Sequence, residues 1–389
     1  MIETIQLAGF LIALVGTSFS ISVCSAGLVI LAIGLALRPR WSVPERGCLL
    51  VLVACLLVSL FISDYFSVSY KGFLKFLQGF LLLYAGVNLI RDEKKLKLAL
   101  GLFLFASLIA ALAGIFQALF GFDFIYFREP IVRGEAYQRI TGPYKHYNDF
   151  GTFLLPSVPL ALAVLLEQWK GGRKVRTAFA AAVLAVFAAA LGLTVSRSAF
   201  IGALASILVF SSFFKWRLRA YLAVGVLAAA IAISPTPLGE RTRQIFDQVL
   251  GSTSERMMLL KTTFAMVKES PLFGLGINTY SDHFPEFRPA GYPAIMYAHN
   301  SYAQMAAEIG FAGLFFYMLF IFRFIGRGAA RVTGVVHAAL LAAVAGLLVN
   351  ALFESLLQST QLRTLFWCLL GLAAAVTHHR LLETSRRSP

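Results

Sequence analysis

Apolar runs long enough to cross a lipid bilayer recur along almost the whole chain, and they restrict the fold more than any other feature of the sequence. A bilayer core requires about 20 predominantly apolar residues per helix, and backbone groups inside lipid must be paired within the protein. The sequence therefore predicts an all-α polytopic membrane protein of about twelve transmembrane helices. The predicted crossings are 5–19, 20–37, 47–63, 72–90, 98–118, 149–168, 177–194, 199–213, 220–234, 300–325, 337–353 and 363–378, and residues 5–37 could instead cross once.

The charge of the chain points to lipid rather than nucleic acid. Charged residues make up 14% of the sequence, against about 25% in soluble globular proteins. The net charge of +15 is accompanied by no nucleic-acid-binding motif, and the basic residues lie in short clusters between apolar runs. We therefore expect membrane lipid, and no nucleic acid, among the partners of this protein.

The basic clusters also predict an orientation, because short loops rich in Lys and Arg stay in the cytoplasm. If the amino terminus is placed inside, both termini are cytoplasmic and two long segments, 119–148 and 235–299, fall on the outer side. The charges of the second segment balance. We expect residues 1–389 to form a single membrane domain. The basic clusters on the inner side are 38–46, 91–97, 170–176, 215–219, 323–331 and 380–387.

An amphipathic helix is predicted near 252–268 in the larger outer segment. Ser252-Thr-Ser-Glu255 has the pattern of a capping box, with Arg256 in the first turn. Met257, Leu260, Phe264 and Val267 recur at helical spacing on one face. We expect this helix to lie in the membrane interface and to end before Pro271.

Three arginines of the predicted outer side are candidate anion ligands. Arg197, between two crossings in Thr194-Val-Ser-Arg-Ser198, could pair with a lipid headgroup or bind a phosphate through its guanidinium fork. Arg139 could be a solvated loop charge or a ligand. Arg256 could lie on a polar helix face, or near a helix amino terminus that favours anions.

A polar stripe descends into the tenth predicted crossing from His299. Asn300, Gln304 and Glu308 follow it at four-residue spacing, on one helix face. A histidine near neutral pKa suits a general base that deprotonates a hydroxyl, and Glu308 could support the stripe or pair with a neighbouring helix. Asn350 and Glu354 are weaker candidates of the same kind.

Several established catalytic motifs are absent. The sequence has no P-loop, no nucleophile elbow and no His-Glu-x-x-His pattern. The four cysteines show no spacing typical of a metal site. We therefore expect neither a metal nor another cofactor.

Together these motifs resemble the superfamily of O-antigen ligases and O-antigen polymerases, which are bacterial membrane glycosyltransferases. The resemblance covers mainly residues 139–313. It rests on Arg139-Ile-Thr-Gly-Pro with Asn148, on Thr194-Val-Ser-Arg-Ser198, on Arg256 with Ser270-Pro-Leu-Phe-Gly-Leu-Gly276, and on His299-Asn-Ser-Tyr with Glu308-Ile-Gly-Phe-Ala-Gly313.

The resemblance implies a GT-C-like fold of about twelve helices in the bacterial inner membrane, with a large periplasmic segment between the ninth and tenth. It implies an inverting enzyme that transfers a glycan from undecaprenyl pyrophosphate to lipid A-core without metal or ATP. Arg197, Arg256 and Arg139 would then bind the pyrophosphate and His299 would be the base. A polysaccharide polymerase with the same donor is the alternative, and a bicarbonate or other small-anion transporter is more distant.

Overall fold

The computed structural model describes residues 1–37, 41–121, 139–215, 253–290 and 297–379, and these form helices joined by short connections. No strand occurs in these five stretches, and the predicted all-α class is confirmed. The helices are α1 Ile2–Gly16, α2 Ile21–Leu37, α3 Arg46–Phe61, α4 Phe66–Leu89, α5 Glu93–Phe120, α6 Tyr147–Leu154, α7 Ser157–Lys170, α8 Lys174–Thr194, α9 Arg197–Ser212, α10 Thr253–Glu269, α11 Tyr280–Phe287, α12 Ser301–Ala329, α13 Val335–Asn350 and α14 Thr360–His379.

The apolar helices follow the predicted crossings closely. Long enough and apolar enough to span a membrane are α4, α5, α8, α12, α14 and the continuous pair α6–α7, Tyr147–Lys170. The shorter apolar helices are α1, α2, α3, α9 and α13. Residues 5–37 form two helices, α1 and α2. The predicted crossing 220–234 lies outside the described residues, as do residues 122–138 of the segment 119–148 and residues 235–252 and 291–296 of the segment 235–299.

The basic connections meet at one end of the helix bundle. Lys95 at the start of α5 lies 3.2 Å from Glu3 at the start of α1. Arg323 and Arg327 near the end of α12 form ion pairs with Glu45 before α3. The α8–α9 turn and the amino termini of α6 and α12 lie at the opposite end, since successive helices alternate in direction.

Facing glycines let pairs of helices approach closely, as small residues commonly do in membrane bundles. A Cβ on Gly346 of α13 would lie 2.7 Å from the carbonyl oxygen of Gly202 of α9. A Cβ on Gly86 of α4 would lie 2.7 Å from the carbonyl carbon of Gly371 of α14. The α9–α13 contact brings the beginning of α9 beside the connection that follows α13.

Helix α12 is interrupted at Gly310, whose φ of 67° and ψ of −179° are not helical. The segment 270–276 occupies the break. Leu275 N and Gly276 N donate to the carbonyl oxygens of Ala307 and Glu308, at 2.9 and 3.0 Å. After the break, Phe311 N donates to the carbonyl oxygen of Pro271 at 2.8 Å, and Ala312 N donates to the carbonyl oxygen of Leu272 at 3.1 Å. Backbone groups freed by the break are thus paired inside the protein, as membrane burial requires.

Helix α10 presents two different faces. Met258, Leu259 and Met266 are buried against the bundle. The predicted apolar stripe mostly faces away from the protein, with Met257, Leu260 and Phe264 uncovered. Val267, which the prediction placed on that stripe, is instead buried. The helix ends at Glu269, before Pro271 as predicted, whereas Ser252 of the proposed capping box lies outside the described residues.

Candidate functional site

The turn between α8 and α9 places Arg197 at the first position of a helix. Val195 adopts a left-handed conformation with φ 51°, which is rare for a β-branched residue. The Ser196 side chain then accepts a hydrogen bond from Ala199 N at 3.4 Å and caps α9. Arg197 therefore lies at the positive end of the α9 dipole, where backbone amides and the guanidinium favour an anion together.

The segment that contains Arg139 is attached to two neighbouring helices. Gln117 Oε1 of α5 accepts from Thr141 N at 2.9 Å and from Gly142 N at 3.1 Å. Ile140 N donates to Leu193 O, near the end of α8, at 3.3 Å. The Arg139 guanidinium lies 4.6 Å from the centre of the Tyr147 ring, a cation–π distance. Arg139 is thus held at the beginning of α6.

His146 caps α6 through its ring. Its Nδ1 accepts from Asn148 N at 3.2 Å, so in the neutral ring the proton is assigned to Nε2. The surrounding protein lowers the pKa of His146, chiefly by desolvation, and the positive charges of His299 and Arg139 act in the same direction, against Glu354. The His146 ring is therefore neutral at neutral pH, since the ordinary histidine pKa is about 6.5.

His299 precedes α12 with its ring partly uncovered. The residue has a left-handed φ of 49° and its side chain is 45% exposed. Asn300, predicted to support the substrate site, caps α12: its Oδ1 accepts from Tyr302 N and Ala303 N, both at 3.0 Å. The amide oxygen of Asn300 fixes the backbone that carries His299.

Glu354, in the connection between α13 and α14, joins α9 to His299. Its Oε2 lies 3.6 Å from His299 Nδ1, and its Oε1 accepts from Ser198 Oγ at 3.0 Å. Ser301 Oγ donates to the Glu354 carbonyl oxygen at 2.7 Å, which fixes the backbone as well. The carboxylate is nearly buried, with 10% of the side chain exposed.

The amino termini of α6, α9 and α12 converge around Glu354. A Cβ on Gly151 of α6 would lie 3.0 Å from Ser196 Cβ before α9, so these two helices touch there. Thr152 Oγ1 of α6 donates to Asn350 Oδ1 at the end of α13 at 3.1 Å, which brings α6 beside the connection that carries Glu354. Three positive helix ends with Arg139 and Arg197 make this region suited to an anionic ligand beside a histidine.

Arg256 is the remaining predicted ligand. Its backbone lies in the first turn of α10, and its side chain lies outside the described part of the structure. Its role stays a prediction.

Glu308 lies in a second polar cluster, deeper in the bundle. Its Oε1 accepts from Gln304 Nε2 at 2.9 Å and its Oε2 from Asn278 N at 3.0 Å, so the predicted stripe on α12 is present. Asn278 Oδ1 accepts from Lys75 Nζ at 2.6 Å. Lys75, Glu308 and Arg363 line a cavity of about 40 Å³, enough for a few water molecules.

Glu308 was predicted to support the polar stripe and Glu354 was the weaker candidate, but it is Glu354 that meets His299. Glu308 lies on the same helix as His299's neighbours, so its spacing was visible in the sequence. Glu354 reaches His299 only through the packing of α9, α12 and α13. The available signal was an acidic residue in an otherwise apolar stretch, Ala351-Leu-Phe-Glu-Ser-Leu-Leu357.

Among the described residues, no group of three or more His, Cys, Asp or Glu side chains could hold a metal ion.

Comparison with protein families finds one match over this region. Residues 180–318 match the family described as O-antigen ligase. The match includes Arg197, Arg256, His299, Asn300 and Glu308, and it leaves Arg139, His146 and Glu354 outside. A comparison with curated proteins gives no match.

Proposed function

We propose that this protein, whose residues 180–318 match the family described as O-antigen ligase, transfers a glycan from undecaprenyl pyrophosphate to lipid A-core, with inversion and without a metal. The observation that carries this proposal is the arrangement around Glu354. Its carboxylate lies 3.6 Å from His299 Nδ1 and 3.0 Å from Ser198 Oγ, and Ser198 follows Arg197 in the chain. This arrangement combines a base, the group that orients the base and a site for a leaving anion.

His299 acts as the general base. With Nδ1 facing the Glu354 carboxylate, Nε2 is the ring nitrogen that accepts the proton of the attacking acceptor hydroxyl. The carboxylate holds the ring orientation and stabilises the imidazolium that forms, as in other histidine–carboxylate pairs. The acceptor oxygen then forms a bond to the anomeric carbon.

Arg197 and Arg139 bind the leaving group, with Arg256 as a third ligand. As the bond between the anomeric carbon and the phosphate oxygen breaks, negative charge grows on the pyrophosphate. Fixed guanidinium groups and the amides at the start of α9 stabilise this charge in the transition state. Attack from the opposite face inverts the anomeric centre, and the lipid pyrophosphate leaves.

The bundle end that carries His299 faces the periplasm of the bacterial inner membrane in this proposal, and both termini are cytoplasmic. The basic clusters of the short connections, 91–97, 170–176 and 323–331, lie at the other end, which supports this orientation. The test uses single cysteines at Lys145 and Lys94 in a variant without the native cysteines. An impermeant maleimide on cells with opened outer membranes should label position 145, and position 94 only after the inner membrane is permeabilised; the reverse pattern would contradict the orientation.

The function is tested with purified protein in nanodiscs, given a lipid-linked glycan and lipid A-core. We expect glycosylated lipid A-core and released lipid pyrophosphate, and loss of both with His299→Ala. His378→Ala is the control that should retain activity, because His378 lies near the end of α14, far from the His299 site. Product formed only on a second lipid-linked glycan would instead identify the polymerase.

The second candidate function is small-anion transport, which the predicted gathering of Arg139, Arg197, Arg256 and His299 on one side disfavours. The break in α12 at Gly310 and the internal Lys75, Glu308 and Arg363 favour it, since discontinuous helices and charges within the bundle are typical of transporters. Uptake of labelled bicarbonate into proteoliposomes that is lost in Lys75→Met and retained in His299→Ala would support transport. No uptake above empty liposomes would exclude it.

A further inference from the structure

An apolar groove lies on the side of the helix bundle, near the end that is opposite the His299 site. Each of three helices contributes one stripe of residues at helical spacing. The groove has a volume of about 350 Å³ and runs for about 10 Å, the length of seven helical residues. The main lining residues are Gly101, Leu104, Phe105 and Leu108 of α5, Ala161 and Val164 of α7, and Phe179, Ala180 and Val183 of α8.

Small side chains leave this groove open. A Cβ on Gly101 would meet nothing within 4 Å, and Ala161 and Ala180 are buried at its floor. Phe105 and Phe179 line it with 64% and 68% of their surface uncovered. The groove therefore offers apolar walls to a narrow, flexible chain from the lipid phase.

One end of the groove is polar and positively charged. Arg176 and Gln168 line it, and Arg173 Nη1 donates to Gln168 Oε1 at 3.4 Å. Two guanidinium groups thus lie at the same mouth. Among the described residues, no carboxylate forms an ion pair with Arg173 or Arg176, and Glu93 at the start of α5 is paired with Lys97 at 2.7 Å.

Trp169, at the end of α7, marks the depth of this mouth in the membrane. Its side chain is 67% uncovered, and exposed tryptophans of membrane helices collect at the headgroup level. A phosphate at Arg176 would lie at headgroup depth, and an acyl chain attached to it would run along the groove. Basic pockets between transmembrane helices bind anionic lipid headgroups in this way.

We infer that this groove is a binding site for one anionic glycerophospholipid, with the phosphate on Arg176 and Arg173 and an acyl chain between α5, α7 and α8. The match between an apolar slot and a cationic mouth carries this inference, and it is independent of the proposed glycan transfer. An anionic lipid is favoured over a zwitterionic one because the two arginines have no anionic partner among the described residues.

The test combines lipid detection with two substitutions. Native mass spectrometry of the full chain in mild detergent should detect one phosphatidylglycerol adduct, and added phosphatidylglycerol should raise the thermal unfolding midpoint more than phosphatidylcholine does. Gly101→Leu fills the groove and should abolish the adduct and the selective shift. Leucine also favours the helix over glycine, so the variant should fold. Arg176→Gln should remove the preference for the anionic lipid.

Gly326→Leu is the matched control, because Gly326 is likewise a helical glycine with nothing within 4 Å of its Cβ. It should keep both the adduct and the shift. An adduct of unchanged intensity in Gly101→Leu and Arg176→Gln would overturn the inference. Retention of a polyprenyl phosphate in place of a glycerophospholipid would overturn the identity of the lipid.

Discussion

His299 Nδ1 lies 3.6 Å from Glu354 Oε2, and this pair joins the beginning of α12 to the connection between α13 and α14. Because the other carboxylate oxygen accepts from Ser198, the beginning of α9 is part of the same unit. The position of the His299 ring relative to Arg197 therefore depends on one buried carboxylate.

Replacing Glu354 by Gln should reduce kcat for glycan transfer by up to about 10⁴-fold, the loss seen when the carboxylate of a catalytic histidine–carboxylate pair is replaced by an amide. The amide keeps the shape of the side chain and removes the charge that stabilises the imidazolium. Steady-state rates with saturating donor and acceptor measure the effect. Glu167→Gln, at the opposite end of the bundle, is the control, and equal rates for both variants would show that Glu354 does not act on the base.

Arg197→Lys should lower kcat/KM for the lipid-linked donor by about 10²-fold, the scale seen on removal of one transition-state donor. Lysine keeps the positive charge but lacks the planar fork that binds two phosphate oxygens. The rate is measured at limiting donor concentration. Arg331→Lys, in the basic connection after α12, should leave the value unchanged, and full activity of Arg197→Lys would contradict direct pyrophosphate binding.

Acid should destabilise the protein partly through His146. Desolvation by the neighbouring protein, together with His299 and Arg139 and against Glu354, lowers the pKa of this partly exposed ring, so the folded state binds its proton less readily than the unfolded chain. This stabilising contribution is complete above the unfolded pKa of about 6.5 and is lost as the pH falls through the interval below it.

His146→Asn keeps an acceptor at the capping position of α6 and removes the titrating ring. We expect the thermal unfolding midpoint of the variant to fall less than that of the wild type between pH 7.5 and pH 5.5. The same fall in both proteins would show that His146 does not contribute to the acid sensitivity.

Gly310→Ala should destabilise the bundle by about 1–3 kcal/mol or more, the cost of a strained backbone position. The Cβ would lie 2.2 Å from Leu272 O, at a φ of +67°, so the segment in the break of α12 must shift. Gly326→Ala, in open space on the same helix, should be neutral or slightly stabilising. The unfolding midpoints of both variants test this, and similar midpoints would mean that the break can absorb a side chain.

Much of the architecture follows from the sequence because lipid imposes it. An apolar segment must be helical to pair its backbone, so the helices from α1 to α9 and from α12 to α14 coincide with predicted crossings. The pairing at Gly310 was not predictable in this way. Ser270–Gly276 has no periodicity, and its partners are backbone groups of a helix that only tertiary packing brings beside it.

The candidate site also has one part that the sequence predicts and another that only tertiary packing sets. Arg139, Arg197 and His299 were identified as polar residues next to apolar runs, and alternating helix direction places them at one end of the bundle. Their local sequences also fix Arg197 at a helix start and Asn300 as a cap. Glu308 was ranked above Glu354 because spacing on one helix can be read in a sequence, whereas a contact between α12 and the end of α13 cannot.

The sequence alone therefore determined the helical class, the positions of the apolar helices and the clustering of basic residues, because each depends on the transfer of local segments between water and lipid. The tertiary structure decided which carboxylate meets His299, that α12 is interrupted at Gly310, and that Lys75, Glu308 and Arg363 share a cavity. These features depend on how closely helices approach, and facing glycines such as Gly202 and Gly346 set that distance.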